Sequence, residues 1–516
     1  MTCADLGGQG VPWSVAATAA GGGYLPCPDP TTEANCGASM EISSQLLVAG
    51  AFPSSQIFLL EKNPLTQQWQ PAQIGDLATP IPGQMVGENW FGYGLSADGS
   101  RLAVSAPLHG SPGNAVGIVF VFGKDAQTDC WQQQAVIENP IPEPFDWFGM
   151  SVSLQGHLLV VGAPGDRNAQ GVDSGAVFIF ERDATTDLWT LEQVIWNPAA
   201  DPGGDAFGEM VDLVGDRLLV GAPGTRGPGG EEASGCGYIY QRSSTSFDLQ
   251  QVIPNPDAAA GEAMGRSLAL TDHHLAFGIP DDLPAGVSNG GSVYLYRHEP
   301  ISGQWVPADT GIAGATVPGQ IPCPDPLDLD NFGIDVGLSG DVLVVGASRD
   351  EVNGFSSAGS CSIYERSETT GQWPLRQKID NPEPDEGDQF GFALALDQNQ
   401  LAVGVKLEQV NGIIGAGAAF VFQRSGSFIR PDCNADGAFN LADAITVLSV
   451  LFSSGLTPDC RDACDANDDG SLNLSDAVMM LNDLYVPGAA PIPSPIHGCG
   501  IDPTDDSLDC IEYTCP

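Results

Sequence analysis

Five oxygen-bearing side chains, Asp432, Asn434, Asp436, Asn440 and Asp443, stand at places 1, 3, 5, 9 and 12 of a twelve-residue segment whose sixth residue is Gly437. The pattern returns 33 residues later as Asp465, Asn467, Asp469, Asn473 and Asp476, with Gly470 in the sixth place. A tight loop turns alternate side chains inward, and a hard cation such as Ca2+ asks for six to eight oxygens at once. The glycine permits the sharp turn, and the seventh residue, Ala438 or Ser471, offers its main-chain carbonyl. Two in-register copies make these residues the expected ligands of two Ca2+ ions. The apolar eighth places, Phe439 and Leu472, point to a core. Each loop runs into an apolar stretch expected to be helical, residues 444–452 and 477–485.

Other chemistry is sparse. Glu209, Asp212 and Asp335 fall where related stretches of the chain carry mostly small or apolar residues. Carboxylates facing one another across a central axis could hydrolyse a glycosidic bond. A solvated tunnel, or an ion pair between Glu209 and Arg266, accounts for them without chemistry, so no catalytic residue is assigned. The six histidines form no metal-ligand spacing, and His273-His274 is read as a surface turn. No H-E-x-x-H or phosphate loop is present.

The elements that must position these groups are short strands. Sixty-five glycines and 40 prolines in 516 residues are too turn-rich for a helical protein. With 42% hydrophobic residues and mean hydropathy of −0.01, the chain has ample material for a core. No apolar run reaches the ~18 residues that a membrane-spanning helix needs. Asp and Glu outnumber Lys and Arg by 65 to 18, a net charge of −47, which repels phosphate backbones and anionic lipid. Thirteen cysteines, six of them after residue 430 (Cys433, Cys460, Cys464, Cys499, Cys510 and Cys515), suggest an oxidising compartment and leave the pairing open. The expected location is extracellular, and the opening residues carry no basic and apolar leader.

One unit is written seven times. An F-G-type start recurs at Cys36-Gly37, Phe91-Gly92, Phe148-Gly149, Phe207-Gly208, Met264-Gly265, Phe332-Gly333 and Phe390-Gly391, 55 to 68 residues apart. Each copy continues through an apolar run ending in Gly-Ala-Pro or a variant of it, a glycine-rich loop, and a further apolar run. A closing aromatic follows in most copies: Trp69, Trp131, Trp189, Phe247, Trp305 and Trp373. Four short strands per unit, repeated with no helix between, predict an all-β propeller of seven blades, with six and eight as the alternative counts. The N-terminal Tyr24-Leu25-Pro26-Cys27-Pro28-Asp29-Pro30 nearly duplicates Gln320-Ile321-Pro322-Cys323-Pro324-Asp325-Pro326. It is expected to complete the last blade and close the ring, which protects the edge strands. Glycines after each aromatic are expected where strands crowd at the axis. Basic residues two places beyond the third run (Lys124, Arg182, Arg242, Arg366 and Arg424, with Lys62 and Arg297 close by) are expected in strand-end ion pairs.

The units resemble the FG-GAP repeats of integrin-α-type propellers, over residues 10 to 430. None carries the D-x-D-x-D-G-x-x-D loop of that family, so no propeller calcium is expected. The resemblance implies a binding face at the loops after Gly-Ala-Pro, such as residues 164–173, 223–234 and 348–357.

The paired loops have EF-hand spacing, and the stretch from Asp432 to Tyr485 resembles a cysteine-bearing dockerin. That resemblance implies an all-α calcium module over 431–486, with a Pro- and Cys-rich tail, 487–516, packed on it. It also implies a cohesin-like protein partner, contacted by loop places 10 and 11, Leu441-Ala442 and Leu474-Ser475. Three functions are consistent with this organisation. The first is a secreted, non-catalytic scaffold whose propeller takes a glycan or cell-surface ligand while the calcium module attaches it to a protein. The second is a polysaccharide-active component, and the third is a structural subunit of an extracellular assembly.

Overall fold

The computed structural model describes residues 13–15, 24–27, 34–43, 45–52, 55–62, 69–72, 89–110, 113–125, 130–168, 172–199, 204–243, 245–282, 290–325, 329–367, 369–397, 400–424, 429–452, 458, 460–486 and 491–493. Two compact units emerge, residues 16–421 and residues 1–15 with 422–516.

The first unit is built from antiparallel sheets, each an up-and-down run of the chain. The third blade is representative, with strands Val152–Gln155, Leu158–Ala163, Ala176–Arg182 and Trp189–Trp196 in that spatial order. Leu158–Ala163 is buried at every residue, because a middle strand is covered on both faces and loses its alternation. The outer Trp189–Trp196 is exposed at Thr190 and Leu191 and, Ile195 apart, half-buried elsewhere. Seven such sheets form, and their innermost strands touch in a closed cycle from the first blade (Cys36–Ile42) to the seventh (Phe390–Asp397) and back.

Closure follows the expected route. Trp13–Val15 and Tyr24–Pro26 both pair with Ala418–Arg424, the third strand of the last blade. In the fifth blade the outer place is likewise shared, by Gln304–Pro307 and Gln320–Pro322 on Ser292–Glu299. Tyr24 faces Phe420 where Gln320 faces Tyr294, so the duplicated sequence marks the same structural place.

The repeated glycines are explained by the neighbouring blade rather than by the axis. A Cβ on Gly221 of the fourth blade would lie well under 3.0 Å from the carbonyl oxygen of Gly265 in the fifth. Gly50 meets Gly92, Gly162 meets Gly208, Gly278 meets Gly333 and Gly346 meets Gly391 in the same way, and Gly404 meets Gly37 across the closing seam. The second blade has Ser105 in this place, against Gly149. Main-chain hydrogen bonds run beside these contacts: Phe148 N donates to Val116 O (3.0 Å), Phe207 N to Ser174 O (3.1 Å), and Cys36 N to Ala416 O (3.0 Å) at the seam.

Ion pairs occur at the expected strand ends, and some cross between blades. Lys124 of the second blade reaches Glu61 of the first at 2.9 Å, and Glu61 also accepts from Trp131 Nε1 at 2.8 Å. Arg242 reaches Glu181 of the third blade at 3.4 Å and Glu192 at 3.1 Å. Arg182 pairs within its blade with Asp187, and Arg366 with Asp341 at 3.7 Å. Glu61→Ala leaves the half-buried ammonium and the indole N–H of the buried Trp131 without this acceptor. A loss of about 1–2 kcal/mol is expected, measured by urea unfolding of the propeller.

The second unit contains helices α1, Leu441–Phe452, and α2, Leu474–Tyr485, which pack on each other. Each begins three residues earlier than the apolar pattern predicts, because places 9 and 12 of the preceding loop form a capping box. Asn473 accepts from Ser475 N at 2.8 Å while Asp476 accepts from Asn473 N at 2.8 Å. Asn440 and Asp443 repeat this at 2.9 and 2.8 Å. The core joins Cys433, Ala444, Val447, Cys464, Ala466, Ala477 and Met480, with Phe439 and Leu472 packed against it as expected. Cys433 and Cys464 are disulfide-bonded. Cys499, Cys510, Cys515 and all of the 487–516 tail except 491–493 lie outside the described residues.

Candidate metal loops and the carboxylates of the ring

The two acidic loops are near copies in three dimensions. Asp432 accepts from Asp436 N (3.1 Å) and Gly437 N (2.8 Å), and Asp465 accepts from Asp469 N (3.4 Å) and Gly470 N (2.8 Å). The twelfth residue reaches back over each loop. Asp443 accepts from Asn434 N at 3.3 Å, and Asp476 from Asn467 N at 3.4 Å. Places 4 and 6 take left-handed backbone in both, at Ala435 and Gly437 and at Asp468 and Gly470. This curls the loop so that its first and last carboxylates lie inside.

Those four aspartates are at most 1% exposed. Burial, and then the Asp465 carboxyl beside it, push Asp476 up to about 7. Asp443 is raised by burial and by Asp432 and Asp436. Among the described residues no three His, Cys, Asp or Glu side chains gather into a metal cage of their own. The loops instead combine paired aspartates with asparagine and main-chain oxygens, a hard-oxygen donor set that suits Ca2+ better than a soft transition metal. Like charges brought together in a buried place are what a divalent cation would relieve.

Places 10 and 11 open α1 and α2. Leu441 is 44% exposed and Leu474 52%. One turn further, Ile445 and Val478 are also exposed. Reading places 10 and 11 alone misses this second pair, which the i, i+4 spacing of apolar residues signals. Each helix thus shows a solvent-facing apolar patch at the same position.

In the propeller, Asp212 does not break the repeat. It lies four residues after the FG glycine, as do Glu41, Ser96 and Ser153 in the first three blades. All four side chains accept a main-chain N–H from the next blade: Glu41 from Ala97 (3.1 Å), Ser96 from Leu154 (3.0 Å), Ser153 from Leu213 (3.1 Å) and Asp212 from Leu270 (2.8 Å). Asp335 sits two places earlier in its strand and accepts from Leu394 N at 2.8 Å. These acids link neighbouring blades. Burial pushes Glu41 up to about 8, with Asp212 and Asp397 adding to it, and pushes Asp212 and Asp335 up to about 6. Glu209 is raised by burial and drawn back by the charge of Arg266. Glu41 escapes a search for repeat-breaking acids because its own unit is the most degenerate copy.

His274 is a correction. It opens the strand His274–Ile279, is buried, and meets Trp373 edge-on at 5.0 Å. Burial lowers its pKa to about 4. Of the two histidines, His273 is the exposed one.

The loops after Gly-Ala-Pro share a face with the segments before each FG aromatic. Gly165 N donates to Asp146 O (3.1 Å) and Gly387 N to Ser356 O (3.0 Å). This face carries exposed Phe145, Trp147, Leu329, Phe355 and Ile414. Residues 169–171 of the first expected binding loop lie outside the described residues. No curated protein matches the chain. The FG-GAP repeat family model matches residues 131–180 and 321–364, each running from the outer strand of one blade into the third strand of the next, so the chain carries FG-GAP repeats on a seven-bladed β-propeller.

Proposed function

We propose that this protein is an extracellular, non-catalytic binding scaffold. Its propeller presents the loop face to a glycan or cell-surface ligand, and its C-terminal unit, a dockerin-like module holding two Ca2+ ions, attaches to a cohesin-like protein. The observation that carries the attachment is the matched pair of exposed apolar patches, Leu441 with Ile445 and Leu474 with Val478. Two equivalent patches on a duplicated loop-helix unit offer a partner the same surface in two orientations. Calcium would neutralise the paired aspartates at the head of each helix and so fix the angle at which each patch is shown. The exposed aromatics Phe145, Trp147 and Phe355 support the loop face as the ligand surface, since rings of this kind stack on apolar and sugar faces.

The test is calorimetric titration of Ca2+ into the full chain. Two ions are expected, with one lost in Asp432→Ala and one in Asp465→Ala. A chelator is expected to lower the melting temperature of the C-terminal unit and leave the propeller transition in place. Absence of calcium uptake, or melting indifferent to chelator, overturns the reading of this unit.

A further inference from the structure

Three repeat positions change together in the first blade. In the third, fourth, fifth and seventh blades an asparagine after the preceding outer strand bonds an acid two residues before the FG position. Asn139 meets Asp146 at 2.7 Å, Asn197 meets Asp205 at 2.5 Å, Asn255 meets Glu262 at 2.7 Å and Asn381 meets Asp388 at 3.0 Å. At the closing seam the asparagine is replaced by Cys27, the acid by Ala34 and the FG aromatic by Cys36. The sixth blade shows half of this change: Cys323 takes the asparagine's place, while Asp330 and Phe332 are kept. Main-chain bonds confirm the equivalence, since Cys27 N donates to Gly417 O and Cys323 N to Gly291 O, both at 3.3 Å.

The consequence is two thiols fixed side by side in an apolar pocket. Cys36 N bonds Ala416 O at 3.0 Å and Cys36 bridges Gly417, so both cysteines are anchored on adjacent residues of one stretch. Cys27, Ala34, Cys36 and Ala51 form a buried cluster with Phe58 against it. The neighbouring Cys27 thiol is the largest influence raising the Cys36 thiol, and both are reduced in this structure. A polar link that serves four blades has thus been exchanged for a sulfur pair only at the seam where the N-terminal strand is added.

We propose that Cys27 and Cys36 form a disulfide that holds the closing strand Tyr24–Pro26 in place beside the first blade. The oxidant is an external disulfide. One cysteine thiolate attacks it and expels a thiolate, and the second cysteine attacks the mixed disulfide at the first cysteine's Sγ and expels the other. One S–S bond forms as the external one is reduced, and the two cysteine protons end on the two leaving thiols. Both cysteines are 3% exposed, and the Cys36 thiol is raised well above its usual range, so exchange precedes docking of the strand. The Cys433–Cys464 disulfide calls for the same oxidising surroundings.

The test is peptide mapping of the full chain made in an oxidising compartment, alkylated while denatured and without reductant. A peptide pair joined through Cys27 and Cys36, two hydrogens lighter than the separate peptides, is expected. Cys27→Ser/Cys36→Ser is expected to lower the propeller's melting temperature by about 3 °C relative to the oxidised protein. Reductant is expected to lower the propeller transition of the wild type but not of that variant. Alkylation of both cysteines in the untreated protein, or linkage of either to another cysteine, overturns the proposal. Should the variant fail to fold, the mapping of the wild type still decides.

Discussion

Gly221→Ala is expected to cost the propeller more than about 4 kcal/mol and to show as loss of folded protein or a steep fall in the urea midpoint. The added methyl would be driven into the carbonyl oxygen, carbonyl carbon and Cα of Gly265, all main-chain atoms of the next blade. A flexible side chain could swing away, but these are main-chain atoms, and Gly221 itself lies in a strand paired on both sides. Gly221 has no positive φ, so alanine brings no backbone strain of its own and the effect isolates the contact between blades. Gly337→Ala is the matched control. Its Cβ meets only the Leu396 side chain, at 3.3 Å, and a cost near 1 kcal/mol is expected. Equal tolerance of both substitutions would mean that neighbouring blades are not in contact at these glycines.

The second large effect is on pH dependence. Glu41, Asp212 and Asp335 have folded-state pKa values above their ordinary ones, so the folded propeller binds more protons than the unfolded chain between about pH 4 and 8. Their contribution to stability is therefore fully present below the unfolded carboxylate range and is lost as pH rises through the raised values. The propeller is expected to melt highest near pH 4–5 and progressively lower toward pH 8 and above. Glu41→Gln keeps an oxygen for the Ala97 N–H and removes the buried charge. It should flatten the upper part of the curve and stabilise the protein above pH 8 by an amount on the order of 2 kcal/mol, allowing for partial exposure. Melting curves from pH 4 to 9 check this. Identical curves for the two proteins would place Glu41 in water.

The blade count, the four strands of each unit and the place of the N-terminal strand were all legible in the sequence. The FG and Gly-Ala-Pro phrases report on local geometry, and the copy of residues 320–326 at 24–30 names its own structural equivalent. The acidic loops were legible for the same reason, since a twelve-residue turn is built from its own residues. The helix starts were misplaced because apolar periodicity is blind to a cap: Asn440 and Asn473 begin α1 and α2 by satisfying main-chain donors.

Tertiary structure decided what the repeats meet. Which glycine faces which carbonyl, that Asp212 and Glu41 serve as matching links between blades, that Glu61 gathers Lys124 and Trp131 from the next blade, and that Cys27 lies against Cys36 depend on neighbours outside each unit. A repeat carries in its own residues the turns and strand pairings made within it. The atoms that press on its edges belong to the adjoining copy, and only closure of the ring brings the last of them to the first.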